Sequence, residues 1–436
     1  MTHEADSLLN QGQQEAAEGF FKFLFGSDIE LIISGPGGVG KTFLMGHLID
    51  EIMPRYQETC TLMGIPSIYN DVIMTATTNK AAEVLSVATG RPTQTIHSYL
   101  NLTVRDDYST GKSMLKKTNN WVVHNNTIIF IDESSMIDRA LLEMIREGTC
   151  NCKIVYVGDH CQLAPITEPI SPIYKQWIPF FELTEPMRTK NVHLQTINDQ
   201  LRETVKTGIF KPIKIVPGII DKFNDEEMQA ALPQMFLGAD LNNRILAYTN
   251  AKVVDYNDYI RELRQFTDTY TLNERLINNN AIQMKNAMLS VEEEVEIIRM
   301  DAGVTMEMID SKENISLAVR YADLKTSLGE VYKDMPLPED KVHFSELIKY
   351  YQKNKNWVMY FRLKNTFPDL RPRDAATVHK AQGSTYDTVF IDLNNLSTCH
   401  NPNQAARLLY VAFTRVRCRV ILYGQLAEKY GGLTQE

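Results

Sequence analysis

The stretch Glu30-Leu-Ile-Ile-Ser34, followed by Gly35-Pro36-Gly37-Gly38-Val39-Gly40-Lys41-Thr42-Phe43, decides how this chain is read. An apolar run short enough for one strand leads into a turn that fits G-x-x-x-x-G-K-[ST]. Beyond it, Leu44, Leu48 and Ile52 fall on one face, which predicts a helix over Lys41–Met53. Strand, Gly-rich turn and helix are the context in which this pattern binds phosphate. The glycines let backbone N–H groups wrap phosphate oxygens at the positive end of the helix dipole. The Lys41 ammonium is placed to neutralise β- and γ-phosphates, and the Thr42 hydroxyl to reach Mg²⁺. A Gly-rich turn with a chance Gly-Lys-Thr is the bland alternative, and the flanking elements weigh against it.

Working outward, apolar strands alternate with helices. Asp71–Thr75, Thr127–Ile131 and Lys153–Val157 read as strands. Asn79–Ala88 and Arg139–Glu147 read as helices between them. Continuous apolar strands imply a parallel sheet covered on both faces. Thr127–Ile131 ends in Asp132-Glu133. Two adjacent carboxylates at an apolar strand end are costly unless a cation or solvent holds them. Asp132 can hold Mg²⁺ beside the phosphates, and Glu133 can deprotonate an attacking water. The next strand ends in Gly158-Asp-His-Cys-Gln162, where Gln162 is a neutral amide able to contact a γ-phosphate. A plain turn is the alternative there.

The pattern resumes after Phe181 with the strand Arg244–Tyr248 and the helix Ala251–Leu263. From about 265 to 372 it changes to short strands of two-residue period, such as Val295–Arg299 and Ser316–Arg320, and a helix near Lys341–Lys353. Thr388–Asp392, Gln404–Arg415 and Arg419–Tyr423 then return to α/β. The expected fold is α/β, with two parallel-sheet domains. The first covers 1–180. The second covers 181–264 and 373–436 and is interrupted by a small β domain at 265–372. Leu100–Trp121 reads as a β-hairpin around Tyr108-Ser-Thr-Gly-Lys112, expected at about 100–124.

Composition narrows the class. At 436 residues the chain is too long for one ordinary core. With 44% hydrophobic and 23% charged residues it is globular, and it lacks an uninterrupted apolar run for a membrane span. Met1–Leu9 carries acids and no secretory pattern, so a cytoplasmic location is expected, in a host cell if the chain is viral. The net charge of −9 differs from a simple basic nucleic-acid binder, although a local groove can be basic on an acidic body. The six cysteines are too sparse for a disulfide scaffold. Cys152 and Cys161 flank a strand and lie too far apart to share a zinc ion.

Taken together, these motifs resemble superfamily-one helicases, in the order found there and over nearly the whole chain. Leu9-Asn-Gln-Gly-Gln13 resembles the adenine-reading Q motif. Thr75-Ala-Thr-Thr-Asn-Lys-Ala-Ala82 and Gln94-Thr-Ile-His-Ser98 resemble motifs Ia and Ib. Asp132-Glu-Ser-Ser-Met136 and Gly158-Asp-His-Cys-Gln-Leu-Ala-Pro165 resemble motifs II and III. Leu183-Thr-Glu-Pro-Met-Arg188, Thr377-Val-His-Lys-Ala-Gln-Gly383 and Leu409-Tyr-Val-Ala-Phe-Thr-Arg415 look like motifs IV, V and VI. The 5′-to-3′ RecD/Dda-like branch is the most similar, helped by Ala247-Tyr-Thr-Asn-Ala-Lys-Val-Val-Asp-Tyr-Asn257.

The resemblance implies two RecA-like domains, an SH3-like insert and a hairpin acting as a duplex-splitting pin. It implies an ATP-dependent DNA helicase, active as a monomer, that works in replication or recombination and meets single-stranded DNA, duplex junctions and replication or single-strand-binding proteins. It makes Gln13 an adenine contact, Gln162 a phosphate sensor, Arg188 and Arg415 γ-phosphate arginines and Gly383 a phosphate contact. It places Thr77, Thr78, His97, Thr249, Asn250, His379 and Lys380 along single-stranded DNA. The rival from another class is an assembly or packaging ATPase without strand separation. Independently, 349–373 mixes seven Lys/Arg with six aromatics, which suits either a stacking surface or a packed helix with a basic face. Glu292-Glu-Glu-Val-Glu296 is expected to face solvent, away from DNA.

Overall fold

The computed structural model describes residues 9–165, 168, 170–185, 191–238, 242–284, 287–327 and 329–435. Arg188 lies outside them. The first α/β unit is a parallel sheet in the order Phe180–Glu182, Glu30–Ser34, Lys153–Gly158, Thr127–Asp132, Asp71–Ala76, Thr93–Thr95. Its central strands are buried along their length, as a sheet covered on both faces requires. One apolar cluster, including Phe20, Leu44, Leu48 and Phe130, covers one face. Another, with Ile96, Leu141, Ile145 and Tyr156, covers the other.

The helix after the Gly-rich turn departs from expectation. It runs Lys41–His47, passes through a π-helical turn at Leu48–Ile52 and continues as Met53–Met63. Pro54 is tolerated because it sits in the first turn of that last segment. Gly64, at φ 66°, supplies the left-handed cap that ends it.

The second unit is also parallel, ordered Ile220–Phe223, Val416–Tyr423, Tyr386–Asp392, Asn243–Ala247, Ala375–Thr377. Between its fourth and fifth strands in space, the chain makes a long excursion. That excursion builds an antiparallel sheet from Thr305–Asp310, Ile315–Thr326, Glu294–Met300, Arg275–Asn278 and Leu370–Pro372, with Val331–Pro338 paired to Ile315–Thr326. Two helices follow it, Lys341–Lys353 and Trp357–Thr366. Tyr351, Phe361 and Phe367 of this segment are buried. Arg371 pairs with Asp369, and Arg373 with Glu294. Much of the aromatic and basic run is therefore core and ion pair rather than open stacking surface.

Leu102–Asp107 and Lys112–Lys117 form the hairpin. Asp107 organises its turn by accepting from the Ser109 and Thr110 hydroxyls at 2.6 and 2.7 Å. The tip does not stand free. Tyr108 meets Phe361 edge-on at 5.3 Å, and Asn365 donates to Asp106 at 2.8 Å. The hairpin of the first unit thus rests on the second helix of the insert. Among the described residues, no helix is long and apolar enough to cross a membrane. All six cysteines are unbridged.

Candidate nucleotide site and nucleic-acid track

The Gly-rich loop lies between Ser34 and the helix starting at Lys41. Gly38 and Gly40 adopt φ of 86° and 78°, a left-handed backbone that disfavours any Cβ. Gly35 is required for a different reason: a Cβ there would sit 2.6 Å from the Leu183 carbonyl. Val39 is buried, whereas Gly37, Gly38 and Phe43 are exposed. Lys41 donates to the Gly35 and Pro36 carbonyls at 2.7 and 2.9 Å. Gln13 is buried and donates to the Val39 carbonyl at 3.1 Å. Its side-chain oxygen accepts from the Asn10 N–H in a capping box. It therefore braces the loop from behind, a structural duty that the sequence reading did not assign.

Motif II turns sharply after Asp132. Glu133 sits at φ 52°, and its N–H donates to the Asp132 carboxylate at 2.9 Å. A non-glycine residue held there is strained, and such strain concentrates at functional sites. Burial pushes the Asp132 carboxyl up, against the pull of Lys41. Burial and the Asp132 charge push Glu133 up to about 6, while Arg415 and Lys41 act the other way. Three groups of the first unit, Asp132, Lys41 and Asp159, and one of the second therefore act on one carboxylate. Arg415 itself is buried and clamped, its guanidinium donating to the Val411 and Ser384 carbonyls at 3.3 and 3.2 Å. Gln162 is buried, and its Oε1 has no hydrogen-bond partner among the described residues.

These groups suit a nucleoside triphosphate with Mg²⁺. A loop of left-handed glycines opens a helix N-terminus, and Lys41 lies beside the acid pair. Thr42 and Asp132 offer the hard oxygen donors that Mg²⁺ prefers.

The track residues divide into kinds. Thr78 and Thr249 cap helices, accepting from Ala81 N–H at 3.2 Å and Lys252 N–H at 3.4 Å. Asn250 begins the second of those helices and is exposed. Thr77 is buried and donates to the Glu133 carbonyl at 3.1 Å, which ties motif Ia to motif II. Burial pushes the His97 imidazole down, against Asp138, and likewise pushes His379 down. Both then favour the neutral form. Lys380 pairs with Glu292 at 2.7 Å. That corrects the reading of the acidic run: Glu292 and Glu294 bind Lys380 and Arg373, and Val295 is core. Gly383 has φ 80° and open space where a Cβ would be. Beside it, Gln382 reaches across to the Ser135 hydroxyl at 3.2 Å.

Arg202 and Arg407 carry no motif signal in the sequence, and Asp159 and Tyr410 lie within motifs III and VI with no local mark of their work. Asp159, Arg202 and Tyr410 meet beside Gln162, whose backbone Arg407 holds.

Comparison with known proteins follows the same lines. The AAA domain family model matches residues 8–211. The UvrD-like helicase C-terminal domain matches 374–423. The ATP-dependent DNA helicase dda of Enterobacteria phage T4 is 24% identical, over 94% of this chain and 98% of that protein. This chain is a relative of the superfamily-one helicases. An uncharacterised protein of Acanthamoeba polyphaga mimivirus is 21% identical over 95% of this chain and 99% of its own length. Among solved structures, Pif1 helicase from Candida albicans is 17% identical, with 97% and 95% of the two chains covered and a TM-score of 0.48. Pif1 helicase from Bacteroides in complex with ADP-AlF3 and ssDNA is 14% identical, with 97% and 94% covered and a TM-score of 0.49.

Proposed function

We propose that this chain is an ATP-dependent DNA helicase that moves 5′ to 3′ along single-stranded DNA and unwinds duplex ahead of it. One observation carries the reading: Gln382 of the second α/β unit bonds the Ser135 hydroxyl of motif II in the first at 3.2 Å, and Arg415 of the second draws the Glu133 carboxyl down, so one constellation spans the cleft between two parallel sheets. A constellation divided this way makes hydrolysis depend on cleft closure, which is what converts ATP into relative movement. Lys41 and the loop N–H groups hold the phosphates, and Thr42 and Asp132 would hold Mg²⁺, which supplies charge neutralisation at the phosphates. Glu133 takes the proton of the attacking water. Gln162, Arg415 and Arg188 respond to the γ-phosphate, with Gly383 near it.

Thr77, Thr78, His97, Thr249, Asn250, His379 and Lys380 line the strand's path, with the hydroxyls and amides contacting phosphate without adding net charge. That fits a chain of net charge −9. Thr77 and Lys380 must then exchange their protein partners for DNA. The hairpin, braced by the insert, meets the duplex junction. We assign the chain to replication or recombination, acting as a monomer.

The test is unwinding of duplexes bearing a 5′ or a 3′ single-stranded tail, with ATP and Mg²⁺. Strand separation that requires the 5′ tail supports the reading. A requirement for the 3′ tail overturns the direction, and DNA-stimulated hydrolysis without any separation overturns the helicase assignment.

A further inference from the structure

The loop carrying Gln162 is fastened on two sides by different units. On the near side it is held by its own unit. His160 hydrogen-bonds through Nδ1 to the Ser34 hydroxyl at 2.8 Å. Gly158 packs so tightly on motif II that a Cβ there would lie 2.7 Å from the Ser134 hydroxyl. On the far side every anchor comes from the second unit. Arg407 donates from one guanidinium nitrogen to the backbone carbonyls of His160 and Gln162, at 2.7 and 2.5 Å. Tyr410 donates to one oxygen of Asp159 at 2.6 Å, and Arg202 to the other at 2.5 Å. Arg202 also donates to the Tyr410 hydroxyl at 3.0 Å and, from its second terminal nitrogen, to Glu182 at 3.0 Å.

Arg407, Tyr410 and Thr414 are spaced three and four apart on the helix Pro402–Thr414 and share one face. Arg415 follows directly at the C-cap of that helix. A single rigid helix therefore carries both the arginine that acts on Glu133 and the side chains that hold the Gln162 loop. Asp159, Arg202 and Tyr410 are all at least nine-tenths buried, so these bonds are shielded from solvent. Both Asp159 oxygens and the Tyr410 hydroxyl are bonded within this group, whereas Gln162 Oε1 in the same loop, like Arg202 Nε, is buried without a partner among the described residues. An orphaned buried acceptor is costly unless something else meets it, and orphans of this sort collect at functional sites.

We propose that Arg407 and Tyr410, with Arg202, are positioning residues for Gln162: they fasten the loop of the first unit to the helix of the second, so that cleft closure places the Gln162 amide and Arg415 together. This rests on the ATPase reading above and goes beyond it by assigning work to three residues outside phosphate contact. The geometry explains why the link is sensitive. Hydrogen bonds such as those of Arg407 to the two carbonyls depend steeply on distance, and a shift of about 1 Å breaks them. Misplacement of a reacting group by about that much can cost on the order of a hundredfold in rate.

The test uses the full chain with saturating single-stranded DNA. Tyr410→Phe keeps the buried ring and removes only the hydroxyl. Arg407→Ala removes the link to both carbonyls, and Arg407→Lys restores a donor that reaches one of them. Turnover is measured beside binding of ADP and of ADP with aluminium fluoride, a transition-state mimic. The expected result for Tyr410→Phe and Arg407→Ala is a fall in kcat of roughly ten- to hundredfold. KM for ATP and the affinity for ADP stay within about threefold, because only transition-state contacts are lost. Affinity for the aluminium fluoride complex falls by the same factor as kcat, and Arg407→Lys recovers part of it. Unchanged kcat in both variants overturns the proposal. So does equal weakening of ADP and of the mimic, which would make these residues merely structural. A wild-type chain that hydrolyses no ATP overturns the ATPase reading and this inference with it, whereas normal wild-type turnover with normal variants overturns this inference alone.

Discussion

Gly111→Ala should detach the hairpin from the insert and separate ATP hydrolysis from strand separation. Gly111 lies in the hairpin turn at φ 71°, and a Cβ there would stand 2.3 Å from the Trp357 ring. Two costs arise. A left-handed alanine costs about 1 kcal/mol relative to glycine. The Trp357 ring must also withdraw, and the neighbouring Tyr108–Phe361 contact loosens with it. An edge-on aromatic pair is worth about 0.5–1.5 kcal/mol. The left-handed cost is the same docked or undocked, so only the loss at the rings, about 1 kcal/mol, bears on docking; it shifts the ratio of docked to undocked hairpin by roughly fivefold, since every 1.4 kcal/mol is tenfold. No group of the nucleotide site is touched. DNA-stimulated hydrolysis should therefore persist near the wild-type rate while base pairs opened per ATP fall several-fold. Trp357→Ala removes the clash partner, so combining it with Gly111→Ala should leave only the left-handed backbone cost from the glycine change. Paired phosphate-release and strand-displacement assays on one tailed duplex decide it. Equal loss of hydrolysis and unwinding, or full unwinding by Gly111→Ala, would refute the reasoning.

Three further outcomes are expected. Glu133→Gln should keep nucleotide binding and lower turnover by roughly 10²–10⁴-fold, because an amide cannot accept the water's proton; loss of binding in a folded variant would make Glu133 a binding residue instead. Arg415→Ala should reduce kcat by about 10³-fold or more with ADP affinity retained, and it should cost about 1–3 kcal/mol of stability because the buried Ser384 carbonyl loses its donor; single-turnover hydrolysis and chemical denaturation read the two separately. Burial, reinforced by Arg261, pushes the Lys341 ammonium down to about 8. An unfolded lysine titrates near 10.4, so between these values the unfolded chain holds more protons and stability rises with pH. Lys341→Met should flatten that rise in the melting temperature between about pH 8 and pH 10.4, and parallel curves for the two proteins would contradict it.

Local sequence alone was enough for features governed by near neighbours. The turn at 35–42 follows from glycines that alone tolerate its backbone and from a lysine at its end. The buried parallel strands follow from apolar runs such as Thr127–Ile131, which no half-exposed strand would carry. The interruption after Leu263 and the helix Lys341–Lys353 were legible as changes of period, and the motif order carried the nucleotide site. The helix through Pro54 was not legible, because whether a proline breaks or opens a helix depends on its place in the turn.

Charge pairing was also invisible. Glu292 looks like a solvated acid until folding sets Lys380 beside it across nearly ninety positions of chain, and 349–373 looks like open basic surface until its aromatics enter the core. The grip of Arg407, Tyr410 and Arg202 on the Gln162 loop belongs wholly to tertiary structure. Sequence spacing fixes which residues share a helix face, but only packing of the second sheet against the first decides what that face touches. An arginine with no motif around it has no local signature of its partner, since Coulomb attraction and hydrogen bonding act through space over a few ångströms and are indifferent to separation along the chain.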